Sequence, residues 1–202
     1  MKKYAFLVVA AFAFTISAVA QNIQSIAIGT ALPATNVKLK DISGKDVTLD
    51  DAKQKNGLLV MFSCNTCPYV VKNQQRTKEI CAYAQKNGLG VILLNSNEGQ
   101  RDGADSYEAM KEYAAKQGYQ WMYAVDKNST IANVFGASRT PEVYLFNKDG
   151  KLAYKGAIDD NPSDAANAKQ PHLKAAIDQV VAGKDVTVKE SRSVGCGIKR
   201  PA

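Results

Sequence analysis

The sequence predicts an α/β domain, with a mixed sheet at the centre, helices on both faces and a hairpin at its N-terminal side. Three observations carry this. Short apolar runs alternate with segments of helical period, the pattern of strands linked by crossover helices. The last two strands are joined by Asn147-Lys148-Asp149-Gly150, a connection short enough to require an antiparallel pair. No internal repeat or composition shift divides the chain, and 202 residues suit one domain with short extensions.

The elements follow in order. Residues 37–39 and 47–49 alternate apolar and polar around a Ser43-Gly44 turn and read as the hairpin. Residues 58–62 are continuously apolar, as a buried central strand requires. Pro68 opens a helix, being tolerated in a first turn, and Val70, Gln74, Thr77, Cys81 and Ala84 recur at helical spacing until Gly88. Residues 90–94 form a second buried strand, 104–117 a helix closed by Gly118, and 121–125 a third strand. A short helix is expected over 128–135, capped by Asn128 or Ser129. The strands 143–146 and 152–154 and a helix over 171–182, stopped by Gly183, complete the domain. The organisation expected is a signal peptide at 1–20, a linker at 21–36, the domain at 37–183 and a tail at 184–202.

The first twenty residues read as an export signal. Lys2 and Lys3 precede an uncharged apolar stretch that ends in Ala18-Val19-Ala20, a small-x-small cleavage pattern. Cleavage would leave Gln21 first. The rival is an uncleaved anchor, but 17 residues reach only the bottom of the roughly 17–25 needed to span a bilayer. The formal charge is +7, or +5 without Lys2 and Lys3, and its basic residues are scattered. Neither nucleic acid nor, after cleavage, a membrane is an expected partner; a periplasmic or extracellular location is.

Outside the cytoplasm disulfides persist, which gives weight to the four cysteines Cys64, Cys67, Cys81 and Cys196. Cys64 and Cys67 enclose Asn65 and Thr66 where a central strand hands over to a helix. A helix N-terminus favours an anion, so a thiol there is lowered in pKa and made nucleophilic. The Cys-x-x-Cys spacing lets the second thiol attack a mixed disulfide formed at the first, which is thiol–disulfide exchange. Cys64 is expected to attack and Cys67 to resolve. A structural disulfide and half of a zinc site are the alternatives, although a structural zinc site normally takes four protein ligands and the chain has one histidine and no second such pair.

The second signal is Arg139-Thr140-Pro141-Glu142 ahead of the strand at 143–146. Together with the strand–Cys-x-x-Cys–Pro–helix unit, it resembles the thioredoxin superfamily. That resemblance implies a thioredoxin-like fold, a cis proline at Pro141 packed against the cysteines, and backbone hydrogen bonds from Thr140 to an incoming substrate chain. Phe62 to Val70, Leu94-Asn95-Ser96-Asn97, Gly156-Ala157-Ile158-Asp159-Asp160 and Gly195-Cys196-Gly197-Ile198-Lys199 narrow it. They are similar to the peroxiredoxin-like branch of the redoxin group, relatives of alkyl hydroperoxide reductase and thiol-specific antioxidant, over roughly 28–199. The chain has Thr66 where that branch commonly has histidine, and no tryptophan after Lys199.

The expected activity is that of an extracytoplasmic thiol–disulfide oxidoreductase. Its partners would be a protein or small-molecule disulfide and a redox protein that donates or accepts electrons. A thiol peroxidase acting on peroxide at Cys67 is the second reading. Aligned on Cys67-Pro68, however, Val60 and Cys64 stand where peroxiredoxins carry proline and threonine. A metal-binding or chaperone-like module is the third. No cofactor is expected, and Tyr107, Tyr113, Tyr119 and Tyr123 read as packing. Cys81 reads as a core thiol, roughly 21 Å along the helix from Cys67. Cys196, flanked by glycines, is open to three readings: a thiol that resolves an oxidised Cys64 or Cys67, a bridge between chains, or an inert end. His172 reads as a surface residue. Glu142 is a candidate to accept a proton from Cys67. The strand at 58–62 holds no buried acid, so that role is vacant or filled from elsewhere.

Overall fold

A computed structural model describes residues 24–201, and the expected signal peptide lies outside them. The hairpin is β1 (Leu39–Asp41) and β2 (Asp46–Val47), paired Leu39 to Val47. β1 begins two residues after the start of the first expected strand, and β2 ends at Val47, the first residue of the second. Thr48 leaves the sheet to cap the short helix α1 (Leu49–Ala52), in a capping box with Asp51 that the alternating pattern concealed.

β3 (Leu58–Ser63) is buried throughout. It leads to α2 (Pro68–Lys72) and α3 (Gln74–Lys86), where the sequence suggested one helix. The break is at Asn73, whose buried amide group donates to the carbonyls of Tyr69 and Pro162. An asparagine that bonds backbone in this way competes with the helix ladder. β4 (Gly90–Asn95), α4 (Tyr107–Gln117) and β5 (Met122–Val125) follow, with Gly118 in the left-handed conformation that ends α4. In α5 (Thr130–Phe135) neither Asn128 nor Ser129 caps through its side chain. Asp126 does so instead, accepting from the N–H groups of Ile131 and Ala132. β6 (Arg139–Thr140), β7 (Glu142–Phe146), β8 (Leu152–Gly156), α6 (His172–Val181) and β9 (Cys196–Gly197) complete the chain.

Seven strands form one sheet in the order β2-β1-β5-β4-β3-β7-β8. The pairs β3–β4 and β4–β5 are parallel and the others antiparallel, so the sheet is mixed as expected. Side chains alternate across it. Leu59 and Met61 pack with Ile80, Met110 and Leu173 from α3, α4 and α6. Leu58, Val60 and Phe62 pack with Leu49, Ile131 and Phe135 from α1 and α5. Cys81 is wholly buried in the first layer, the core thiol the sequence suggested.

Two segments assigned outside the domain are hydrogen-bonded to it. The stretch expected as a linker bonds to Phe135, Gly150 and Leu152 through Ile26, Leu32 and Gly29. The tail pairs with β8 through Lys189 and Ser191, then reaches β6 through β9. Gly156 is required at the first crossing, because a Cβ there would lie 2.4 Å from Ser191 Oγ.

Burial holds the protons of Cys81 and Tyr123 far above their ordinary range. The unfolded chain releases them near pH 8.5 and 10, so their contribution to stability falls as pH rises past those values. Urea unfolding should therefore show a loss of about 3 kcal/mol from Cys81 alone between about pH 8 and pH 10.5. A flat profile would refute it.

Candidate active site

The site forms at the C-terminal end of β3. Cys64 follows the strand directly, and Cys67 is the N-cap of α2 with Pro68 at the first helical position. Pairing of Phe62 with Glu142 brings the start of β7 beside them, and with it the Thr140–Pro141 peptide, which is cis. The Sγ of Cys67 lies 3.2 Å from the carbonyl oxygen of Thr140, and the Sγ of Cys64 lies 3.4 Å from its hydroxyl. Both sulfurs are buried, at 1 % exposure for Cys64 and 4 % for Cys67.

The third thiol in the cluster is that of Cys196. Its sulfur lies 2.7 Å from that of Cys67, placed there by antiparallel pairing of Cys196 with Thr140. The tail is anchored beyond this point as well. Ile198 is buried, Lys199 N–H donates to Asn97 Oδ1 at 2.9 Å, and Arg200 donates to Asn133 Oδ1 and the carbonyl of Ala137.

The electrostatics separate the cysteines. Cys67 is held below the ordinary thiol range, first by its hydrogen bond with Cys64 and then by the neighbouring Cys196 thiol, against the opposing effect of burial. Cys64 is pushed up by that same hydrogen bond, by burial and by the negative charge of Asp105. Cys196 is raised by burial and by its bond to Cys67. Cys67, at the helix cap, is thus favoured as the anion, and Cys64, at the strand end, is disfavoured.

Behind the sulfurs is a polar network that no motif announced. Asp105 is fully buried. Its carboxylate accepts from the Asn65 N–H at 2.9 Å and from the side-chain amides of Asn95 and Asn97 at 2.8 Å each. Tyr123, expected only to pack, donates to Asn65 Oδ1 at 2.8 Å and accepts from Asn95. Arg101 ties the carbonyls of Asn95 and Asp105 together. A buried acid thus lies behind the site in the loop before α4 rather than in β3.

Other expectations fall away from the site. Glu142 does not face Cys67. Its carboxylate accepts from the N–H groups of Ser138 and Arg139 and from the Tyr144 hydroxyl, bracing the turn before Pro141. His172 is half-buried at the start of α6, beside Gln170, Pro171 and Thr187. Among the described residues no cluster of three or more His, Cys, Asp or Glu side chains is arranged to hold a metal. No helix among them is long and apolar enough to cross a membrane.

A mixed sheet with a cysteine pair at a strand–helix junction, set against a cis proline, defines a thioredoxin-like fold. The sequence model of the Redoxin family matches residues 27–170, and the chain belongs to that family. Among curated proteins it is 27 % identical over 119 residues to the thiol-disulfide oxidoreductase ResA of Bacillus thuringiensis (strain Al Hakam), an alignment covering 59 % of this chain and 64 % of that one. The chain thus spans just under two thirds of that relative's length. Among solved structures, a hypothetical protein from Sinorhizobium meliloti 1021 is 32 % identical with a TM-score of 0.80, covering 89 % of this chain and 97 % of its own. An uncharacterized conserved protein from Geobacillus kaustophilus is 31 % identical, also with a TM-score of 0.80, over 87 % and 94 % of the two chains.

Proposed function

We propose that the protein is an exported thiol–disulfide oxidoreductase whose redox couple is Cys64 and Cys67, with Cys67 attacking. The observation that carries this is the placement of both sulfurs against Thr140, beside the cis Thr140–Pro141 peptide. A lowered thiol hydrogen-bonded to a protonated neighbour is poised for exchange: the first captures a substrate sulfur, and the second expels it and closes the ring. The similarity to ResA supports this chemistry. The charged and apolar pattern of the first twenty residues supports export. Thr140 and Pro141 form the edge on which a substrate disulfide is presented, and a redox protein resets the couple.

The test is catalysis of insulin reduction by dithiothreitol, with the Cys64–Cys67 disulfide mapped by mass spectrometry after exposure to glutathione disulfide. Acceleration over dithiothreitol alone, together with that linkage, is the expected result. Failure of both would end the proposal.

One feature favours peroxide as a second substrate: the lowered thiol is the one followed by proline, as in peroxiredoxins. Against it, Arg139 does not reach Cys67 but donates toward the carbonyl of Gly195. Stopped-flow oxidation of the reduced chain by hydrogen peroxide separates the two. An ordinary thiolate rate leaves exchange in first place, and a rate orders of magnitude faster reverses the order.

A further inference from the structure

The family match ends at residue 170, yet the tail beyond it is the part of the chain that covers the site. Cys196 pairs antiparallel with Thr140, the residue whose backbone the exchange reading assigns to substrate. Gly195 makes this approach possible. A Cβ at that position would stand 2.1 Å from the Thr140 carbonyl oxygen and 2.7 Å from its carbon, both backbone atoms that cannot swing aside. Cys67 meanwhile packs in one cluster with Cys64 and lies 2.7 Å from the sulfur of Cys196.

We propose that Cys196 is a third working thiol: the tail occupies the substrate's place on Thr140 as an intramolecular strand, and Cys67 exchanges one disulfide between Cys196 and Cys64. This rests on the exchange reading and adds the step between capture and ring closure.

Glutathione disulfide is the two-electron oxidant. The Cys67 thiolate attacks one glutathione sulfur while the tail is lifted. A Cys67–glutathione bond forms, the reagent's disulfide breaks, and the departing thiolate takes a proton from solvent. The tail returns, and Cys196 attacks Cys67. A Cys67–Cys196 bond forms, the Cys67–glutathione bond breaks, and the Cys196 proton goes to the second glutathione. Two electrons have passed from the Cys67–Cys196 pair to the reagent. Cys64 then attacks Cys67 and expels Cys196, which takes up the Cys64 proton, with no net oxidation. Intramolecular capture outpaces a second glutathione because the tail holds its sulfur at high effective concentration.

The experiment uses the full chain. The reduced protein is exposed to limiting glutathione disulfide, quenched with N-ethylmaleimide at intervals, digested and mapped. A Cys67–Cys196 linkage that appears before Cys64–Cys67 accumulates is the expected result, and in Cys64→Ser it becomes the end product. In Gly195→Ala, with all four thiols retained and circular dichroism checking the fold, its formation rate should fall about 10²-fold while Cys64–Cys67 still forms. Cys196 alkylated at every time point, beside a normal Cys64–Cys67 product, overturns the relay and leaves the exchange reading standing. A Cys196–Cys196 link between chains overturns it too. If neither Cys67 disulfide forms, the exchange reading falls first and takes the relay with it.

Discussion

Replacing Cys67 by serine abolishes capture of glutathione disulfide, a loss on the order of 10³-fold or more in rate, while Cys64→Ser still forms the first mixed disulfide. The position of the proton between the two sulfurs sets this order. Cys67 stands at the start of α2 with the thiols of Cys64 and Cys196 beside it, and these neighbours favour a negative sulfur there. Cys64 has burial and the Asp105 charge against it. The pH dependence follows from the sign. An ordinary thiol with a pKa near 8.5 is only about 1 % thiolate at pH 6.5, so its alkylation slows sharply below neutrality. Cys67, held below that range, keeps its alkylation rate through this interval. Iodoacetamide labelling followed by peptide mapping checks both points. Full capture by Cys67→Ser, or a labelling profile for Cys67 that falls away between about pH 8.5 and 6.5, returns the attack to Cys64.

What the sequence made legible, it did through local patterns. The buried run of β3, Pro68 after the second cysteine, and Thr140-Pro141 before β7 each carry their signal within a few residues, and all three meet at the site. The short loop between β7 and β8 likewise dictated their antiparallel pairing. Elsewhere one local rule hid another: alternation over 47–49 masked the capping box of Thr48, and helical spacing through 70–84 ran across the break at Asn73. The features least visible are set by contacts far apart in the chain. Asp105 stands in a polar stretch with nothing to mark it as buried, and its meaning comes from Asn65, forty residues earlier. In the sequence Asn95 and Asn97 carry meaning only as part of a resemblance. Their role became readable once β4 ended beside Cys64, because an amide at a strand end is defined by what it faces. Which of two cysteines holds a proton is likewise a question of neighbours, and sequence spacing cannot supply Cys196 as one of them.

Asp105→Ala should be the most destabilising single substitution at the site, at about 3–5 kcal/mol in urea unfolding. Alanine removes the acceptor of three buried or nearly buried donors: the Asn65 N–H and the side-chain amides of Asn95 and Asn97. Each orphaned donor costs roughly 1–3 kcal/mol, and relief of the buried charge offsets part of the sum. Against a typical stability of about 5–15 kcal/mol the loss is large. Asp105→Asn keeps an oxygen for the Asn65 N–H and the Asn95 amide, sets an NH2 group against the Asn97 amide, and removes the charge that raises Cys64. An anion nearby disfavours a thiolate, so its loss lets Cys64 ionise at lower pH, and the onset of Cys64 alkylation moves down the pH scale. Asn65 lies between the two sulfurs and is fastened by Asp105, Tyr123 and Ala104 together. Loosening that residue therefore alters the spacing of the thiols as well as their charge, and ring closure by Cys64 should slow more than capture by Cys67. A stability loss below about 1 kcal/mol in Asp105→Ala, with an unshifted Cys64 profile in Asp105→Asn, would show that the network behind the cysteines is passive.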